Sequence, residues 1–267
     1  MSKQETLLTF GGHLDALRRM LFRVLGVVAA LATAVFCAKD LTFKILLAPT
    51  DSHFVMWREL EALGRRCGLD WGFEPFSVQL INTELSAQFM THLSTSLILA
   101  LLLASPYIVY ELFRFVAPAL YENERRLSLR LLAVVYILFL VGVALSYFVV
   151  FPISLRFLGT YQVAEGVINQ INLSSYISMF ARLTFLMGLV FQLPILMLVL
   201  TRIGLVNAPL LRHYRRHAIL IICVIAAIIT PPDALSLILV ATPMCLLYEA
   251  GIWVSATTGR HIVDEEV

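Results

Sequence analysis

The chain has 267 residues, of which 60% are hydrophobic and only 14% charged, with a mean hydropathy of +0.85. The exterior of a soluble domain needs far more charge, so an ordinary water-soluble protein is excluded. The 20 basic and 18 acidic residues leave a formal net charge of +2, which gives no ground for a nucleic-acid partner.

A bilayer core of about 30 Å takes roughly 20 apolar residues of helix rising 1.5 Å each. By that measure a first span runs from about Met20 to Ala38. Ala32-Thr33-Ala34 resembles a small-residue cleavage site, but the apolar run continues past it, so an uncleaved first helix is the better reading. A loop of about Lys39 to Glu84 follows, and its Trp57, Trp71, Phe73, Pro75 and Phe76 suit an ordered interfacial cap. Span two is expected from about Leu85 to Phe113, with Pro118 halting the helix, and span three from about Leu127 to Phe151. After a second loop, about Pro152 to Ser175, span four runs from about Tyr176 to Leu200.

The last two apolar stretches are shorter or interrupted. About His217 to Ile229 holds roughly 13 residues, near 20 Å of helix. About Ala234 to Ala256 carries Pro243 and Glu249 in its body. Between them Thr230-Pro231-Pro232-Asp233 forces a structural turn, because two prolines remove helical donors and fix φ. The expected fold is a single all-α, polytopic membrane domain over residues 1–267 with six spans, the last two short, and no internal repeat.

Orientation follows from the basic residues near the span ends. Lys3, Arg18, Arg19, Arg23, Arg114, Arg125, Arg126, Arg130, Arg202, Arg212, Arg215, Arg216 and Arg260 fall on one side, 13 in all. Lys39, Lys44, Arg58, Arg65, Arg66 and Arg156, 6 in all, fall on the other, with Arg182 inside span four. Both termini are therefore expected in the cytoplasm.

Signs of catalysis are missing. No H-E-x-x-H, Walker A or G-x-S-x-G pattern occurs, and Cys37, Cys67, Cys223 and Cys245 form no C-x-x-C pair, so neither an enzyme centre nor a metal or cofactor site is expected. His213 and His217 stand four apart on one helical face, as basic residues meeting headgroups do. Polar groups inside a span are costly and face protein or water, which singles out Arg182, Gln192 and Glu249. They are the residues on which a rival reading, a secondary transporter or channel, would have to rest. Gln192 can alternatively serve the carbonyl freed by Pro194, and Arg182 can reach outward to the interface.

The most informative stretch is Phe115-Val116-Ala117-Pro118-Ala119-Leu120-Tyr121-Glu122-Asn123-Glu124-Arg125-Arg126. Phe115 and Tyr121 offer apolar edges, and Glu122 and Glu124 offer carboxylates at the membrane surface, where an arginine can be held in a bidentate fork. On the residues alone a second reading stands beside this one: Glu124 pairs with Arg125 or Arg126 as a solvated face.

This stretch resembles the F-x-x-P-x-L-x-x-x-E-[RK] signature of the TatC family of the twin-arginine protein translocase. His13-Leu14-x-x-Leu17-Arg18 resembles the family's N-terminal H-L-x-E-L-R motif, Ala48-Pro49 its first-loop proline, Tyr147-Phe148 to Phe151-Pro152 its third-span end, and Thr230-Pro231-Pro232-Asp233 its T-P-P-D turn. The resemblance implies a concave six-span bundle in a bacterial inner membrane, acting as receptor for paired-arginine signal peptides on folded cargo. It implies Glu124 as the arginine-binding acid, Phe115, Pro118, Leu120 and Tyr121 as residues shaping that site, and Leu17 and Arg18 as its N-terminal wall. It further implies single-span partners of the TatA and TatB type, drive by the proton-motive force, contact with lipid, and self-association in the receptor complex. Partner docking would fall near Gln192, Ile228 and Thr230.

Two positions depart from the family pattern. The N-terminal motif has Ala16 where the family has an acid, and Asp15 is displaced by one position, about 100° around a helix. Gln192 stands where the family has an acid in span four. Signal recognition should then lean on Glu124, with Asp15 and Glu122 as further candidate acids.

Overall fold

The computed structural model describes residues 10–51, 54–66, 78–120, 125–162, 164, 169–202, 204–231 and 233–265. Helices dominate them: α1 (Phe10–Cys37), α2 (Lys39–Leu47), α3 (Val55–Arg66), α4 (Ala87–Leu120), α5 (Arg125–Leu145), α6 (Phe151–Thr160), α7 (Leu173–Val190), α8 (Leu193–Arg202), α9 (Ala208–His213), α10 (Arg215–Ile229) and α11 (Ala234–Glu265). Two short strands, β1 (Leu80–Ile81) and β2 (Ile171–Asn172), pair in parallel with Leu80 opposite Ile171.

Among the described residues, five stretches are long and apolar enough to cross a bilayer: Leu14–Cys37, Ala87–Leu112, Leu132–Thr160, Leu173–Arg202 and Ala234–Thr257. The expected fifth span is α10, whose 15 residues reach about 22 Å at 1.5 Å each, short of a full hydrocarbon core.

Three boundaries differ from expectation. Pro118 does not halt α4, which runs on to Leu120. A proline in the last turn forfeits one donor and leaves the preceding turns intact. Span three does not end at Phe151: α5 passes through a π turn (Ser146–Val150) into α6, so the expected second loop begins as helix, as far as Thr160, and Arg156 lies within it. The extra residue in the π turn accommodates Pro152, one place into α6, without ending the helix. Span four is broken at Phe191-Gln192, because Pro194 removes a donor just beyond and the chain must re-enter helix as α8. In α4, Pro106 likewise deprives the Leu102 carbonyl of its helical partner, and the Ser105 hydroxyl donates to that oxygen at 2.7 Å.

The described residues form two compact units, one from residues 1–42 with 92–136 and one from 43–91 with 137–267. In the first, α1 packs on α4 through Val28, Ala100 and Ala104, small residues that let the backbones approach. In the second, the core is aromatic: Phe151 meets Tyr176 and Phe180 edge-on at 5.0 and 5.3 Å. The first loop is ordered by that core. Pro49 denies the Ile45 carbonyl a helical donor and the turn over Ala48–Thr50 bypasses Leu46. The hydroxyls of Tyr147 and Tyr176 donate to those two carbonyls at 2.7 and 2.6 Å. Trp57, 4% exposed, carries the Arg156 guanidinium 4.9 Å over its ring, whereas Trp71, Phe73, Pro75 and Phe76 lie outside the described residues.

Buried hydroxyl pairs tie the spans of this unit: Ser146 to Thr184 at 3.3 Å, Ser154 to Ser236 at 2.7 Å and Thr201 to Ser255 at 2.8 Å. Where α5 crosses α7 the backbones come close. A Cβ on Gly142 would meet the Met187 carbonyl oxygen at 2.6 Å, and backbone cannot move aside as a flexible side chain can. Gly142→Ala is expected to cost about 1–3 kcal/mol of stability, as overpacking does. Gly26→Ala, with nothing within 4 Å, should be neutral or gain up to about 1 kcal/mol from helix propensity. Thermal denaturation of the two variants in mild detergent checks both, and equal midpoints would refute the close crossing.

The turn before α11 is built as its prolines require. Thr230 caps α10 by donating both its N–H and its hydroxyl to the Ala226 carbonyl at 2.9 Å, and Asp233 accepts from the Ser236 N–H at 2.6 Å at the start of α11. Pro232 lies outside the described residues.

Candidate functional site

The N-terminal motif falls in α1 and the beginning of the signature segment in the last turns of α4. Between them lies a cavity of about 860 Å³. Asp15, Ala16, Arg18, Arg19, Met20, Phe22 and Arg23 line it from α1, and Glu111, Arg114 and Phe115 from α4. Asp15, although displaced by one position, thus lines the same cavity as Ala16 and Phe115. Leu17, 41% exposed, is not among the lining residues.

The most constrained group there is Glu111, 3% exposed. Its Oε2 stands 3.4 Å from Arg23 Nη2, and its Oε1 accepts from the Tyr107 hydroxyl at 3.1 Å. A carboxylate so buried needs both contacts, since an unpaired charge in a low-dielectric setting costs several kcal/mol. Tyr107, Glu111 and Phe115 follow one another at i, i+4 spacing and therefore share one face of α4. The arginines of α1 are held against their own helix. Arg19 Nε donates to the Asp15 carbonyl and Arg23 Nε to the Arg19 carbonyl, both at 3.3 Å, while the Arg18 guanidinium lies 5.6 Å from the Phe22 ring centroid.

The remaining predicted residues are dispersed. Pro118 and Leu120 lie in the last turn of α4, and Tyr121, Glu122 and Glu124 lie outside the described residues. Gln192 is half-buried at the break between α7 and α8, Ile228 is 76% exposed on α10, and Thr230 is buried at its end. Arg182 is exposed, its Nε 3.4 Å from the Ser178 carbonyl. Glu249 is paired with Arg215 at 2.7 Å, which explains an acid in span six and removes one of the groups a transport pathway would use. Among the described residues no three His, Cys, Asp or Glu side chains gather where they could hold a metal ion.

Sequence reasoning passes over Glu111 and Tyr107. The signal was present: an acid inside the apolar stretch Ala87–Leu112 requires a buried partner, and Arg23 is the basic residue of α1 set deepest in its own apolar stretch.

Residues 12–243 match the family model described as Sec-independent protein translocase protein (TatC). The chain belongs to the TatC family. It is 31% identical over 259 residues to the Sec-independent protein translocase protein TatC of Blattabacterium sp. subsp. Periplaneta americana, covering 96% of this chain and 97% of that one. With the TatC of Desulforapulum autotrophicum it shares 32% over 266 residues, 100% of this chain and 91% of the relative. A solved structure described as the twin arginine translocase receptor TatC superposes with a TM-score of 0.71 at 30% identity, covering 91% of this chain and 97% of that chain. This TatC-family chain is therefore a bacterial membrane protein and a component of a Sec-independent protein translocase, a transport protein in a family not known for enzymes. Its polytopic helical fold is that of its relatives.

Proposed function

We infer that the chain is the receptor subunit of a twin-arginine translocase. It binds paired-arginine signal peptides of folded cargo at the segment Phe115–Arg126 and the N-terminal part of α1. What carries the reading is that two segments about a hundred residues apart, both assigned to the site by the family signature, line one cavity: Asp15, Ala16 and Arg18 from α1 and Phe115 from α4. The acids of the connection, Glu122 and Glu124, follow α4 within four residues of its end. TatA- and TatB-type single-span subunits complete the translocase, docking near Gln192, Ile228 and Thr230, and the proton-motive force drives export. Both termini lie in the cytoplasm, a reading supported by the excess of basic residues on that side.

A signal peptide carrying a photo-crosslinker beside its arginine pair tests the reading. Crosslinks to membranes containing the chain should fall about tenfold when both arginines become lysine, because lysine keeps the charge but cannot form the bidentate fork. Equal labelling by both peptides would overturn the receptor assignment.

A further inference from the structure

Glu111 and Arg23 both line the cavity, and the contact between them is a loose one. Arg23 Nη2 stands 3.4 Å from Glu111 Oε2, whereas the exposed Arg215–Glu249 pair of the same chain closes to 2.7 Å. The cause lies in α1. Arg23 Nε already donates to the Arg19 carbonyl, so the side-on edge of its guanidinium is engaged and it meets the acid through Nη2. The other carboxylate oxygen, Oε1, accepts from the Tyr107 hydroxyl. An ionised carboxylate offers about four acceptor sites, and among the described residues Glu111 fills two of them. A buried acid thus faces the cavity short of donors.

We propose that Glu111 is an arginine-binding acid of the peptide site: one guanidinium of a paired-arginine peptide takes its carboxylate in a bidentate fork, and Arg23 is displaced. The inference rests on the receptor reading and gives that site an acid inside the cavity, the second guanidinium being left to the acids beyond α4. Three features of the pair favour the exchange. One guanidinium replaces another, so no unpaired carboxylate is left buried at the end of it. Arg23 has somewhere to go, because 47% of its side-chain surface is accessible and its long stem can carry the charge to water. A peptide arginine has no bond to the Arg19 carbonyl, so it can present both nitrogens of the fork, which a lysine cannot. Burial raises the gain: at 3% exposure Glu111 is poorly screened, and a second charge-assisted bond is worth more there than at the surface. Arg23 holds the acid paired in the empty site, and only a ligand that makes the better fork removes it.

Binding of dye-labelled signal peptides to the full chain in mild detergent tests the exchange, with either arginine of the pair, or both, replaced by lysine. With wild type each single replacement should weaken binding about threefold, half the logarithm of the loss expected for both. Glu111→Gln keeps the side-chain volume, and should weaken the paired-arginine peptide about tenfold while making one of the two single replacements, and only one, without effect. Arg23→Gln removes the resident competitor. The paired-arginine peptide should then bind several-fold tighter and raise the denaturation midpoint of this variant more than that of wild type, because it re-pairs the stranded carboxylate. Should Arg23→Gln fail to fold, the Glu111→Gln cycle decides alone. If Glu111→Gln weakens all the peptides equally, its part is structural and the proposal falls. If both single replacements keep their full effect in Glu111→Gln while Glu124→Gln cancels one of them, the receptor reading stands and Glu111 is outside the site. Equal binding of paired-arginine and paired-lysine peptides to wild type would instead overturn the receptor reading itself.

Discussion

Membranes carrying Glu124→Ala are expected to hold as much of the chain as wild type, yet to lose crosslinking to a paired-arginine signal peptide by about 10- to 100-fold. The size follows from chemistry: a charge-assisted arginine–carboxylate contact is worth roughly 1.5–3 kcal/mol, and 1.4 kcal/mol is a factor of ten. Insertion should be untouched, because Glu124 lies beyond the apolar stretch of α4. Glu124→Gln keeps the shape and one acceptor but not the charge, so it should show most of the same loss. Asp15→Ala is the informative comparison. Asp15 lines the cavity but is exposed, and four arginines stand among the described lining residues, so its field is largely offset there. Its loss should weaken crosslinking only about two- to threefold, as a screened surface charge does. Unchanged crosslinking of Glu124→Ala would remove Glu124 from its role, and a loss from Asp15→Ala as large as that expected for Glu124→Ala would make Asp15 the substitute for the acid missing at Ala16.

The spans were legible because twenty apolar residues in a row have one physical solution in a bilayer, and the short fifth helix was legible for the same reason. Ends of helices were less so. Pro118 reads as a stop, but a proline forfeits only its own donor, and the turn already formed before it holds α4 to Leu120. Beyond Phe151 the composition of Pro152–Thr160 looks like a loop rim, yet the π turn at Ser146–Val150 makes room for Pro152 and the helix carries on. The site was half legible. Its two segments could be matched to a signature, but the charge balance of the cavity could not, because it depends on which arginines of α1 face α4. That is set by helix rotation and packing at Val28, Ala100 and Ala104, long-range information that no local pattern holds. Glu111 was visible as an intramembrane acid, while its partner could be named only once α1 and α4 were seen side by side.

The Arg23–Glu111 pair should respond asymmetrically to truncation, and the asymmetry follows from exposure. Arg23 keeps 47% of its side-chain surface accessible and Glu111 only 4%. Removing the acid by Glu111→Leu leaves an arginine that can extend along α1 toward the headgroups, so the variant should lose no more than about 1 kcal/mol. Removing the cation by Arg23→Ala strands a carboxylate that has only the Tyr107 hydroxyl, and breaking a buried pair in that direction costs about 3–5 kcal/mol. Adding Glu111→Leu to Arg23→Ala removes the stranded charge and should restore most of the loss, since an apolar side chain of similar volume fills the same buried place on the face of α4 that carries Ala104 and Ile108. Denaturation midpoints of the two single variants and the double variant in mild detergent close the thermodynamic cycle. Additive losses would mean that the two side chains do not interact, and a Glu111→Leu variant weaker than Arg23→Ala would mean that the acid, not the arginine, is the exposed partner.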